Sequence, residues 1–267
     1  MSEKNPKAKD WALITGASSG IGRDLAHCFA ADGWSLVLTA RRLPELESLA
    51  EELSHQYGSK TLCLSQDLSQ PGAAKEIFQK VMEKKLRVSA LVNNAGFGSY
   101  GPFAETDLET ELKLLQVNIG ALVHLTKLFV QPMVQRKGGY VLNVGSTAAF
   151  QAGPLMAVYY ASKAFVLSFS EALANELQDS GITVTVLCPG PTETEFSQVA
   201  GLESSNLFKK MHVMKSSEVA QAGYDGLMHG KTIVIPGLMN KLTVQSNRVS
   251  PRKWVTKLVR QVQERSH

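Results

Sequence analysis

Apolar residues along the chain fall into two alternating rhythms. Short unbroken runs have the length and composition of strands buried on both faces. They are WALITG (11–16), WSLVLTA (34–40), KTLCLSQDLS (60–69), VSALVNNAG (88–96), GGYVLNVGS (138–146), ITVTVLCPG (182–190) and KTIVIPG (231–237). Between them apolar positions recur at helical spacing: Ile21, Leu25, Cys28 and Phe29, then Leu46, Leu49, Ala50 and Leu53. Further helices are predicted over 72–84, from about Asp107 to Met133 with Leu108, Leu112, Leu115, Ile119 and Leu122 as its stripe, and over 157–179.

Strands alternating with helices of a dozen or more residues require crossover connections. The pattern predicts an α/β fold, a single domain over 11–240 built on a doubly wound seven-stranded parallel sheet with helices on both faces. No internal repeat or linker divides it. The irregular stretch 191–216, between the sixth and seventh strands, is expected to be a substrate lid. Residues 1–10 have no apolar run and read as a flexible lead-in.

The composition, 44% apolar and 19% charged, is that of a folded water-soluble chain. Cys28, Cys63 and Cys188 are scattered, odd in number and set among apolar neighbours. They argue against a disulfide framework or a metal site and for a reducing, cytoplasmic setting. The net charge of +4 hides an asymmetry: residues 241–267 carry +6 and the rest −2, so a general nucleic-acid surface is not supported. In that extension Trp254, Val255, Leu258, Val259 and Val262 form a stripe beside Lys253, Lys257, Arg260 and Arg265, a basic amphipathic helix. It suits packing on its own domain, on another subunit, or on an anionic membrane surface.

TGASSGIG (15–22) joins the first strand to the first helix. Its glycines allow a tight turn and close backbone approach to a pyrophosphate, and the helix N-terminus offers unpaired N–H groups to the anion. This is the signature of a Rossmann-fold dinucleotide site, with Gly16, Ser18, Ser19, Gly20, Ile21 and Gly22 as candidate contacts. The second strand ends Thr39-Ala40-Arg41-Arg42 with no carboxylate before Glu45. A guanidinium favours a 2′-phosphate, so NADP(H) is expected over NAD(H), with Arg41 as the main contact. Solvated loop arginines are the alternative.

AVYYASKAF (157–165) offers an acid–base pair. A phenol near neutral pH needs a neighbouring positive charge to exchange its proton. Positions i and i+4 share a helix face, so Lys163 serves Tyr159, while Tyr160 is turned about 100° away and is expected to pack or wall the pocket.

TGASSGIG, Asp67, NNAG at 93–96, Asn118, Ser146, Tyr159-x3-Lys163 and the Pro189-Gly190 pair follow one another as in the short-chain dehydrogenase/reductase family. The chain resembles its compact branch from Trp11 to Gly237. The resemblance implies that Asp67 receives the adenine amino group beside Leu68, and that Asn94, Ala95 and Gly96 line the ribose and pyrophosphate. It also implies that Lys163 holds the nicotinamide ribose, and that Pro189, Gly190 and Thr194 position the carboxamide. Asn118 would hold a water in a proton relay from Lys163. Ser146, at a strand's carboxyl end, would hold the substrate oxygen against Tyr159; capping the next segment is its alternative role. Asp67 in turn has the alternative of capping the helix that follows it. The reaction implied is carbonyl–alcohol interconversion by hydride transfer. A catalytically silent nucleotide sensor is the competing class, and it would be expected to have lost one of Asn118, Ser146, Tyr159 and Lys163.

The lid contributes Phe196, Val199, Leu202, Leu207, Phe208, Met211, Val213 and Met214; neighbouring loops add Phe97, Tyr100, Phe103, Phe150, Pro154 and Leu155. With no Lys or Arg before Lys209 in these loops, a hydrophobic ketone or aldehyde is the expected substrate; the other reading makes these side chains the lid's own core. A homodimer or homotetramer is implied by the resemblance alone.

Overall fold

The structure, a computed structural model, describes residues 10–196 and 213–264. Strands β1 (Trp11–Thr15), β2 (Ser35–Ala40), β3 (Thr61–Ser65), β4 (Val88–Asn93), β5 (Gly139–Val144), β6 (Ile182–Leu187) and β9 (Ile233–Val234) form one parallel sheet, ordered β3-β2-β1-β4-β5-β6-β9. This is the predicted seven-stranded sheet. The order reverses between β1 and β4, and ligands of such sheets sit at the carboxyl end of that switch. A two-residue parallel pair joins β7 (Thr192–Glu193) to β8 (Met214–Lys215).

Alternate strand residues face opposite layers. Ala12, Ile14, Leu36 and Leu38 pack with Leu25 and Phe29 of α1 (Gly20–Ala31), Leu46 and Leu49 of α2 (Leu43–Tyr57), and Val219 of α7 (Ser216–Met228). Leu13, Val37, Leu91 and Val141 pack instead with Ile77 of α3 (Ala73–Glu83) and Leu125, Phe129 and Met133 of α5 (Leu122–Gln135). Between the layers Asn93 and Asn143, paired across β4 and β5, share a buried hydrogen bond of 2.9 Å. Asn143 donates on to Ser170 of α6 (Ala157–Leu177) at 2.9 Å.

The long helix departs from the predicted pattern. It comprises α4 (Leu108–Leu115), a π-helical turn (Gln116–Ala121) and α5. Of the expected stripe, Leu122 is buried and Ile119 half-buried, but Leu108, Leu112 and Leu115 are exposed; Glu111, Leu114, Asn118, Ala121 and Leu125 are buried. The buried face carries polar residues, so over α4 the hydrophobic pattern selects the wrong face. Leu108–Gln135 is long and apolar enough to cross a bilayer, yet one side of it packs along the sheet. The C-terminal extension begins at Leu238 as two helices, α8 (Leu238–Val249) and α9 (Arg252–Gln263).

Candidate active site

The carboxyl ends of β1, β4, β5 and β6 open into a cavity of about 510 Å³. At its cofactor end two loops are laced together. Thr15 Oγ1 accepts from the N–H groups of Asn94 (3.0 Å) and Ala95 (2.9 Å). The Asn94 carboxamide donates to the carbonyls of Thr15 (2.9 Å) and Gly16 (3.1 Å). Gly16 is left-handed at φ +66°, and a Cβ there would lie 2.8 Å from Asn94 Nδ2 and 2.9 Å from Ala95 Cα. A side chain at Gly22 would meet the Gly16 carbonyl at 2.3 Å. Gly16, Ser18, Ser19, Gly20 and Ile21 line the cavity; Gly22 instead lets the helix close on the turn. Ser19 makes no side-chain cap to α1, so the first-turn N–H groups stay available to an anion.

Arg41, Arg42, Asp67 and Leu68 line the same end. Arg42 is occupied: its guanidinium donates to Glu195 at 2.8 Å and to Ser18 Oγ at 3.2 Å. That hydrogen bond holds the Glu195 carboxyl below its ordinary range. Among the described residues Arg41 has no such ion pair. Asp67 accepts the Ser69 N–H at 3.0 Å. Burial pushes its pKa up, but the hydrogen bonds from Ser69 and Gln70 outweigh it, and the carboxyl ends below its ordinary range. Asn94, Ala95, Gly96, Pro189, Gly190 and Thr194 complete the lining, so this end fits an adenine dinucleotide. Thr194 reaches over the glycine turn: a Cβ on Gly20 would come within 2.8 Å of its methyl.

At the other end Tyr159 and Lys163, one turn apart on α6, are both buried and both line the cavity. Lys163 Nζ donates to the Val144 carbonyl at 2.9 Å and lies 5.7 Å from the centre of the Tyr159 ring. Burial dominates the Tyr159 phenol and raises its pKa, opposed by a hydrogen bond with Ser146. Burial likewise lowers Lys163 to about 8. Ser146 takes up its alternative role, accepting the Ala148 N–H (3.1 Å) as the cap of the turn Thr147–Phe150, and it also faces Tyr159.

Asn118 sits in the π turn, which presents its side chain inward. Its Oδ1 accepts the Phe97 N–H (3.1 Å), while its Nδ2 donates to the Phe97 carbonyl and to Ser162 Oγ, both at 3.0 Å. Its side chain thus fixes the loop after β4 to the helix that carries Tyr159. A Cβ on Gly96 would meet Asn118 Oδ1 at 3.0 Å and Lys163 Nζ at 3.5 Å, so the loop passes close over both side chains.

Sequence reasoning missed much of the substrate wall. Gln151, Asn240, Thr243 and Val244 line it, and so does Lys113 of α4, a cation outside the loops from which the substrate's polarity was read. Gln263 of α9 is fully buried, donates to the Tyr160 hydroxyl, and its carbonyl accepts from Tyr100 at 2.8 Å. Tyr160 is thus a wall residue as expected, and burial pushes its phenol up to about 12. Phe97, Tyr100 and Phe196 pack around Tyr159 and Tyr160, with Phe196 5.3 Å from Tyr159. Phe103 is exposed, contrary to expectation. Val199, Leu202, Leu207, Phe208 and Met211 lie outside the described residues. No signal in a single sequence ties Gln263 to residues a hundred positions earlier.

The sheet order, the glycine turn at its switch point and the Ser–Tyr–Lys group define a nucleotide-dependent oxidoreductase fold. Residues 10–205 match the short chain dehydrogenase family model, and the chain belongs to that family. It is 35% identical over 245 residues to sulfoacetaldehyde reductase 2 of Chromohalobacter salexigens, covering 90% of this chain and 95% of that one. It is 38% identical over 186 residues to a short chain dehydrogenase of Pseudocercospora fijiensis, covering 69% of this chain but 60% of the relative's length. The solved structure of a short-chain dehydrogenase from Sphingobium yanoikuyae in complex with NADPH superimposes with a TM-score of 0.81 at 33% identity, over 96% of this chain and 98% of that one.

Proposed function

We propose that the protein is an NADP(H)-dependent oxidoreductase that interconverts a ketone or aldehyde and its alcohol. The convergence of Ser146, Tyr159 and Lys163 at the end of a dinucleotide groove carries this reading. Arg41, free of ion pairs among the described residues, supports the 2′-phosphate preference, as does the NADPH bound in the Sphingobium relative.

The bound nicotinamide supplies a hydride. Ser146 holds the substrate oxygen, and Tyr159 gives its hydroxyl proton to that oxygen as the carbonyl carbon is reduced. A phenol that burial keeps protonated is the form this direction consumes. Lys163 holds the cofactor ribose and offsets the phenolate left behind. Asn118 positions the loop and the helix on which these groups stand, and a water beside it would return the proton to Tyr159.

Phe97, Val117, Met156, Phe196 and Val244 favour a hydrophobic substrate. A small anionic aldehyde is the second reading, favoured by Lys113 at the cavity and by the sulfoacetaldehyde reductase relative. We further propose a cytoplasmic enzyme, in keeping with three free cysteines, that assembles as a homodimer or homotetramer through the long helices. Leu112, Leu115 and Phe165 are exposed there.

Assaying NADPH oxidation and NADP reduction over ketones, aldehydes and alcohols, with Tyr159→Phe as control, tests the reading. Turnover that Tyr159→Phe abolishes supports it. NADPH binding without turnover over the whole panel would make the chain a nucleotide sensor.

A further inference from the structure

α8 is amphipathic the wrong way round. At about 100° per residue Leu238, Leu242 and Val249 fall within one narrow arc, with Met239 beside it. The opposite arc holds Asn240 and Val244, and these are the residues that α8 buries. The apolar arc faces outward: Leu238, Met239, Leu242 and Val249 are all more than half exposed, from Leu242 at 54% to Val249 at 86%. α9 shows a milder form of the same inversion. Val255, Val259 and Gln263 turn towards the protein, while Trp254 (76% exposed) and Leu258 (60%), at the other edge of its apolar stripe, do not.

The charges around these side chains have one sign. Between Leu238 and Glu264 the chain carries Lys241, Arg248, Arg252, Lys253, Lys257 and Arg260, and Glu264 is its only acid. Glu264 is spent on Arg260 at 3.1 Å; among the described residues none of the other five cations is ion-paired.

We propose that the outer faces of α8 and α9 dock on an anionic phospholipid surface. Exposed aliphatic side chains and a tryptophan enter the boundary between headgroups and acyl chains, and the cations meet the lipid phosphates. The same charges argue against a second copy as occupant. A two-fold contact through this patch would set cation against cation, because isologous interfaces are self-complementary. The inference is independent of the catalytic reading, since none of the outward residues lines the cavity.

The test is co-sedimentation of the full chain with vesicles of phosphatidylcholine alone or with about a quarter phosphatidylglycerol. The expected result is about tenfold or more stronger partition onto the anionic vesicles, weakened by raised salt. Lys253→Glu/Lys257→Glu, both on exposed positions, should reduce it to the neutral-vesicle level. Leu242→Ser/Trp254→Ser should weaken binding even at low salt. Thermal melts establish that each variant is folded, and either pair alone decides the matter. Equal partition onto both vesicle types, or none, overturns the proposal. So does light scattering in which these variants dissociate an oligomer while no vesicle binds.

Discussion

The carboxamide of Gln263 donates a hydrogen bond to the hydroxyl of Tyr160, joining the last described helix to the residue beside Tyr159. Tyr100 holds the same residue from the other side through its carbonyl. The wall residue Tyr160 is therefore held from behind by a helix remote from every recognisable motif. Gln263 Oε1 is buried with no partner among the described residues, so it contributes a cost along with the benefit of Nε2. Gln263→Leu should change stability by less than about 1 kcal/mol either way. It should raise KM for bulky carbonyl substrates several-fold and leave the NADPH Kd unchanged. Steady-state kinetics and fluorescence titration check this; an altered Kd with unchanged KM would contradict it.

The adjacent tyrosines separate by function. Tyr159→Phe removes the proton donor and should cut kcat by about 10²–10⁴-fold, with NADPH affinity kept. Tyr160→Phe removes the hydroxyl that meets Gln263 and Gln151 and should leave kcat within several-fold. Equal losses in the two variants, measured at saturating NADPH, would contradict the assignment.

The paired arginines should separate likewise. Arg41→Ala should weaken NADPH binding by about tenfold or more, the scale of a lost charge-assisted hydrogen bond, without affecting NADH. Arg42→Ala should do less to NADPH, because its guanidinium already serves Glu195 and Ser18. Calorimetric titration with both cofactors distinguishes these outcomes.

Lys163 gives a pH signature. Burial depresses its pKa from an ordinary 10.5 to about 8. Between those values the unfolded chain binds more protons than the folded one, so this group's contribution makes stability rise with pH. Below about pH 8 the full cost of burying the ammonium is present, at most about 3 kcal/mol. In Lys163→Met that dependence disappears. The difference in Tm between wild type and variant should therefore move in favour of wild type from pH 8 to pH 10. A difference that stays flat across that window would contradict the burial argument.

The sheet and the cofactor groove were legible because their determinants are local: apolar runs, a glycine turn, and a lysine one helical turn after a tyrosine. Two classes of feature were not. The buried face of α4 and the π turn carries Glu111 and Asn118, so a rule that seeks apolar stripes turns the helix outward; only the tertiary need to hold Phe97 explains it. The substrate wall was hidden for another reason. Lys113, Gln151 and Thr243, and Gln263 behind Tyr160, come from four separate segments, with no spacing that relates them. Gly153 shows the same limit: a Cβ there would strike the Tyr160 ring at 2.3 Å, a contact that six residues of intervening chain do not announce.

The latch at Gln263 also bears on the order in which a growing chain becomes competent. Every described residue of the cofactor groove has been synthesised by Glu195, and the last strand of the sheet by Val234. The wall beside it waits for Asn240, Thr243 and Val244, and the support of Tyr160 for Gln263. On the ribosome, nucleotide recognition can precede substrate recognition, and a chain arrested between those points would grip its coenzyme before it could select what to reduce.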